Sequence, residues 1–174
     1  MHALDLGSFI IRLIVGVVML AHGYNHVWGG GKLPGTARWF ESIGIRPGRV
    51  HALLASVTEL GCGLLLILGL LTPLAAGGVF GTMLVALICN HIKNGFFIFR
   101  PGEGYEYVLT LTVVAVGLAA LGGGRISIDN ALGLDPDVFS GWGGLIMGLV
   151  VGGGGAALVL ATSWRPGRIP AKTN

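Results

Sequence analysis

The most constraining feature of this chain is its set of uninterrupted apolar runs, each about as long as the hydrocarbon core of a bilayer is thick. A spanning helix needs about 20 mostly apolar residues, and segments at about 6–28, 50–71, 73–92, 105–122 and 141–163 meet that length. Backbone polar groups in lipid must be satisfied within the segment, so such runs are read as helices. The expected fold is an all-α membrane protein, a helical bundle of five transmembrane helices. The second and third runs are joined by "LLTPLAA", where Pro73 can open a helix without losing a needed donor. So tight a link makes those two helices antiparallel neighbours.

Charge supports the same reading. Only 11% of the residues are charged, against roughly 25% in a soluble domain, so lipid must cover part of the surface. The chain carries a net charge of +3, but its Lys and Arg sit in loops and the tail, and no basic patch is interleaved with stacking aromatics. No nucleic-acid partner is expected. With an odd number of spans the termini face opposite sides. Placing the N-terminus outside puts Lys32, Arg38, Arg46, Arg49, Lys93, Arg100, Arg165, Arg168 and Lys172 inside, with Arg125 outside and Arg12 within the first span. The positive-inside rule then predicts a multi-pass protein of the bacterial inner (plasma) membrane with a cytoplasmic C-terminus. The first run lacks a basic leader and a good cleavage site, and is expected to be retained as a helix. Cys62 and Cys89 lie inside apolar runs and read as packing residues rather than a redox pair.

The 32 glycines bear on how the bundle closes. Helix association in lipid relies on close backbone approach at small residues. Gly144, Gly148 and Gly152 repeat every fourth residue in the last run, and Gly77 and Gly81 do so in the third. These are the expected helix-packing positions.

Ionisable residues inside spans are costly and default to functional candidates. Here they are Arg12, His22, His26, Glu59, His91 and Glu106, with Asn25 and Asn90 beside them. The predicted orientation brings His22, His26, His91 and Glu106 near the inner ends of their helices. Glu59 lies roughly 13 Å in from the inner end of the second. Four helices thereby contribute to one polar layer, the expected ligand-binding or proton-handling site. Arg12 and Glu59 differ in estimated depth by about 9 Å, which suggests an ion pair or a water-bridged equivalent; outward snorkelling of Arg12 is the alternative. The histidines read first as interfacial hydrogen-bonding residues, next as the lining of a site for a quinone or similar ligand, and last as ligands to a haem or metal. No metal site has diagnostic spacing. The aromatics at the ends of the runs, Tyr105 and Tyr107 among them, fit an interfacial belt. The segment "ARWFESIGI" at 37–45 suits a short interfacial helix that caps the polar layer.

Four stretches together resemble the DoxX family of small bacterial membrane proteins: "RLIVGVVMLAHGYNHVWG" at 12–29, "VTELGCGLLLILGLLTPLAA" at 57–76, "FIFRPGEGYEY" at 97–107 and "GGGRISID" at 122–129. The family's first motif usually ends in H-G-x-x-K, where this chain has His26. The resemblance implies a four-helix core over residues 1–130, an outer loop and an added fifth helix over 131–163, and a cytoplasmic tail at 164–174. Arg12, His22, Glu59, Glu106, Arg125 and Asp129 match family-motif positions, and Arg125 and Asp129 suggest a structural pair in an outer loop. Relatives include a subunit type of thiosulfate:quinone oxidoreductase and proteins of membrane redox assemblies. A membrane subunit of a quinone-linked redox system is therefore one expectation, with no catalytic residue assigned and the cofactor itself unidentified. The other is a non-catalytic scaffold that docks into a larger complex, or onto a second copy, through glycine-rich helix faces. Whether the chain is itself an enzyme is open at this point.

Overall fold

The computed structural model describes residues 3–167; Arg168 and Lys172 of the expected cytoplasmic tail lie outside the described residues. Among the described residues there are eight α-helices: α1 (Ala3–Trp28), α2 (Lys32–Ser42), α3 (Gly48–Leu68), α4 (Thr72–Ala86), α5 (Glu106–Leu121), α6 (Ile128–Ala131), α7 (Pro136–Phe139) and α8 (Gly141–Ser163). α4 continues through a π turn (Leu87–His91) and a 3-10 turn (Ile92–Asn94).

Among the described residues, four helical stretches are long and apolar enough to cross a membrane: Ala3–Trp28, Gly48–Leu68, Thr72–Asn94 and Gly141–Ser163. The fifth expected span differs. α5 has 16 residues, so it is about 24 Å long against a hydrocarbon core of about 30 Å. It is cut short by a loop held against Tyr105 and by the C-cap at Gly122, whose φ of 68° suits a residue without a Cβ. Even so, α5 joins the two ends of the bundle: Tyr107 in its first turn lies beside His22 near the end of α1, and Gly122 accepts from Ser8 near the start of α1.

Glycine contacts define the helix pairs. A Cβ on Gly16 would stand 2.6 Å from the Gly63 carbonyl oxygen, and one on Gly23 would stand 2.7 Å from Leu60 Cγ. Partners descend in α3 as residues ascend in α1, so these helices are antiparallel. Gly77 meets Gly148, and Gly81 meets Gly152, with would-be Cβ atoms 2.8 and 2.6 Å from the opposing carbonyls. α4 and α8 therefore run parallel. The helix-packing glycines thus work within the chain: Gly144, Gly148 and Gly152 are buried against α4 and α5. That face is not free to dock a partner, which corrects the surface expected for a scaffold. The core between these helices is made of Val15, Met19, Leu66, Val79, Met83, Leu111 and Leu118 with alanines between them. At the far end of α8, Trp164 Nε1 donates to the Ile43 carbonyl and Arg46 N donates to the Ser163 carbonyl, so α8 closes on the loop before α3.

Candidate functional site

Charged side chains concentrate at the two ends of the bundle, and their hydrogen bonding differs. At the N-terminal end, α3 turns into α4 through Gly69–Leu71. Gly69 and Leu71 both have positive φ there, 64° and 50°. Such a turn leaves carbonyls of α3 and amides of α4 without helical partners, and α4 has no side-chain cap of its own. Two distant residues supply the missing bonds. Arg12, fully buried, donates to the Leu66 carbonyl at 2.7 Å and to the Ile126 carbonyl at 2.5 Å. Asp129 accepts from Leu71 N, Thr72 N and Thr72 Oγ1 at 2.6, 2.9 and 2.7 Å. A cation at the C-terminus of one helix and an anion at the N-terminus of the next both match the helix dipoles. A Cβ on Gly69 would sit 2.5 Å from an Arg12 nitrogen, so the turn needs glycine for space as well as conformation.

This arrangement corrects two expected pairings. Arg12 does not reach Glu59, because the antiparallel register places it beside Leu66, seven residues farther along α3. Asp129 is directed to the start of α4 rather than to Arg125, whose backbone N–H instead donates to Asp5 Oδ1. The "GGGRISID" segment positions both the Ile126 carbonyl and Asp129, with Ser127 capping α6.

At the opposite end the same register brings His26 to Glu59. His26 Nδ1 stands 3.0 Å from Glu59 Oε2, and the Glu59 side chain is only 4% exposed. The approach lies within ion-pair distance but off the axis of a hydrogen bond, and both atoms are buried without a hydrogen-bond partner. Phe40 of α2 meets the His26 ring edge-on at 6.0 Å, so α2 covers the pair from one side. On another side His26 lines an open cleft of about 330 Å³ with Asn25, Gly29, Gly30, Gly31, Gly35, Thr36 and Trp39. Thr36 Oγ1 donates to the His26 carbonyl and ties α2 to the end of α1.

The remaining predicted residues lie at this end but are engaged differently. His22 is exposed and stacks on Tyr107. His91, carried by the π turn, contacts the Glu103 carbonyl through Nδ1 at 3.0 Å and Asn90 through Nε2. Glu106 accepts from Ile98 N at 3.0 Å. His91 and Glu106 thus fasten the loop between α4 and α5. Among the described residues, no group of three or more His, Cys, Asp or Glu is placed to hold a metal ion. Sequence reasoning missed the glycine-lined cleft and the position of Tyr107. The adjacency of Tyr107 to Glu106 at the head of a helix was a signal for the latter, but spacing alone does not say which neighbour a side chain meets.

Comparison with known proteins agrees with this membrane architecture. The DoxX family model matches residues 7–92. An uncharacterized membrane protein of Mycobacterium tuberculosis, Rv3486, is 33% identical over 130 residues, covering 70% of this chain and 78% of the relative. The chain belongs to the DoxX family. No solved structure gives a significant match. The DoxX match includes Arg12, His22, His26, Glu59 and His91, whereas Glu106, Tyr107 and Asp129 lie beyond it. Both the His26–Glu59 pair and Arg12 are thus inside the family region, while the carboxylate that completes the turn comes from outside it.

Proposed function

We propose that this DoxX protein is the membrane subunit of a quinone-linked redox system in a bacterial inner membrane, and that Glu59 and His26 handle protons for it. The observation that carries this reading is the buried Glu59 carboxylate, with one oxygen lacking a hydrogen bond and a cleft-lining histidine 3.0 Å away. Burying a carboxylate costs several kcal/mol unless it is paired and bonded. A group left incompletely bonded is suited to gain and lose a proton, and histidine can exchange one near neutral pH. His26 takes a proton from the cleft, and Glu59 passes it to a ligand in the membrane. A quinone, when bound, supplies the electron-accepting carbonyls; the electrons come from a partner redox subunit. The residues here fit such a group through an orphaned buried oxygen and neighbouring hydrogen-bonding rings.

The orientation follows from the same end of the bundle. Lys32, Arg38, Arg46, Arg49, Lys93, Arg100 and Arg165 all belong to segments at the His26 end, which supports a cytoplasmic position for it. The N-terminus is then outside, and α5 completes a fifth crossing despite its length, by local thinning of the bilayer.

The test is purification in mild detergent followed by extraction of bound quinones and visible spectroscopy, with wild type and Glu59→Gln compared. Stoichiometric quinone in the wild type, and loss of quinone-dependent turnover of the assembled complex in the variant, are expected. A Glu59→Gln variant with unchanged assembly and turnover rejects the proton role. A scaffold reading keeps one supporting observation: Gly154 and Gly155 have open space where a Cβ would stand. Retention of complex formation by Gly154→Leu would count against it.

A further inference from the structure

Tyr107 takes no part in the proton path just described, yet it sits where a membrane-borne ligand would approach that path. Its hydroxyl is 3.5 Å from His22 Nε2, and the two rings stack with centroids 6.1 Å apart and planes 21° from parallel. Both side chains are exposed where α1 meets α5, Tyr107 by 37%. Neither ring has another hydrogen bond among the described residues. A contact of 3.5 Å lies at the weak limit of hydrogen bonding, so each group retains capacity for a further partner.

Two observations narrow the chemistry of that partner. His22 lies six residues before Trp28, about 9 Å in from the end of α1, where a ligand dissolved in the bilayer can reach it from the side. His22 is also one turn from His26 on α1, and His26 faces the buried Glu59 carboxylate, which sets the exposed pair beside the proton path. A planar ring carrying oxygens can stack on the aromatic pair and accept from the phenol. The ester groups of a phospholipid offer the acceptor without the plane.

We infer that Tyr107 and His22 form the membrane-facing seat for the headgroup of a lipid-soluble quinone, with Tyr107 donating a hydrogen bond to one of its oxygens. This rests on the quinone reading and assigns it an entrance: the ligand arrives from the bilayer between α1 and α5, while protons arrive from the cleft beside His26.

The experiment measures equilibrium binding of a short-tailed quinone to the full chain in phospholipid nanodiscs, with empty nanodiscs as the blank. Tyr107→Phe keeps the ring and removes the donor. It is expected to weaken binding about three- to tenfold, the effect of one lost hydrogen bond, with an unchanged melting temperature. Tyr24→Phe is the control, because Tyr24 is also exposed near the end of α1 but stacks on Trp28; no change is expected. Wild-type binding with Tyr107→Phe unaffected, or with both variants equally weakened, overturns the seat and leaves the quinone reading standing. No binding by the wild type above the blank overturns both.

Discussion

The two ends of this bundle each bury charge, and they bond it differently. At the Arg12 end the guanidinium donates to two carbonyls through its terminal nitrogens, with only its Nε buried and unbonded, and Asp129 accepts three bonds at the start of α4. At the His26 end, Glu59 and His26 face each other with buried atoms that lack hydrogen bonds. The first arrangement satisfies backbone left open by a tight turn, so its charges are part of the fold. The second leaves polar atoms incompletely satisfied beside a cleft, a cost with no evident structural return. The difference separates a charge that builds from a charge that is available for chemistry.

The largest effect should come from breaking the Arg12 end. Arg12→Leu leaves the Leu66 and Ile126 carbonyls without their donor and Asp129 without its nearby cation. Each buried acceptor left unsatisfied costs about 1–3 kcal/mol, and two are left here. Thermal or denaturant unfolding in detergent should show a large loss, and Asp129→Asn a smaller one of about 1–3 kcal/mol. If Arg12→Leu melts like the wild type, the charges at this end do not hold the turn, and the contrast between the ends disappears.

Packing between the ends supplies the next effect. Gly148→Leu drives a side chain toward Ala119 Cβ, where even a Cβ would be only 2.6 Å away. Overpacking of this kind costs about 1–3 kcal/mol. Gly154→Leu, which meets nothing within 4 Å at its Cβ, should melt within about 0.5 kcal/mol of wild type. Equal behaviour of the two variants would mean that α8 does not pack on α5 and α4 through the Gly148 face.

The sharpest comparison uses Glu59→Gln. An amide is less costly to bury than a carboxylate, so this variant should unfold within about 1 kcal/mol of wild type while losing proton-linked function. Arg12→Leu should show the reverse, with damaged stability and no specific functional signature once folding is corrected for. A Glu59→Gln protein as unstable as Arg12→Leu would place Glu59 among the structural charges.

Much of this contrast was legible in the sequence, and the missing part has a definite physical origin. Run length located α1, α3, α4 and α8 to within a few residues, because hydrophobic thickness sets a minimum length. Run length also located α5 to within one residue at each end, but its 16 residues fall short of what a span needs, so its crossing does not follow from the run. The polar residues themselves were identifiable by their cost in lipid, but their partners were not. Depth along a helix is readable from residue count, whereas the register between two helices depends on close contacts such as Gly16 on Gly63. That register turned the expected Arg12–Glu59 pair into two separate sites. It also converted the glycine repeat of α8 from a candidate docking face into an internal seam.

The smallest effect should appear at Glu106, whose carboxylate accepts from Ile98 N and so holds the loop between α4 and α5. This charge sits at the His26 end but has a bonded, structural role, and it tests whether the contrast belongs to the ends or to the bonding of each group. Glu106→Gln keeps an acceptor oxygen and weakens a charge-assisted bond, at a cost of about 0.5 kcal/mol. Hydrogen exchange at the Ile98 amide should quicken, with the melting temperature nearly unchanged and quinone binding intact. If Glu106→Gln instead abolishes binding while exchange at Ile98 stays slow, Glu106 belongs with Glu59, and the available charge at this end extends across α3 and α5.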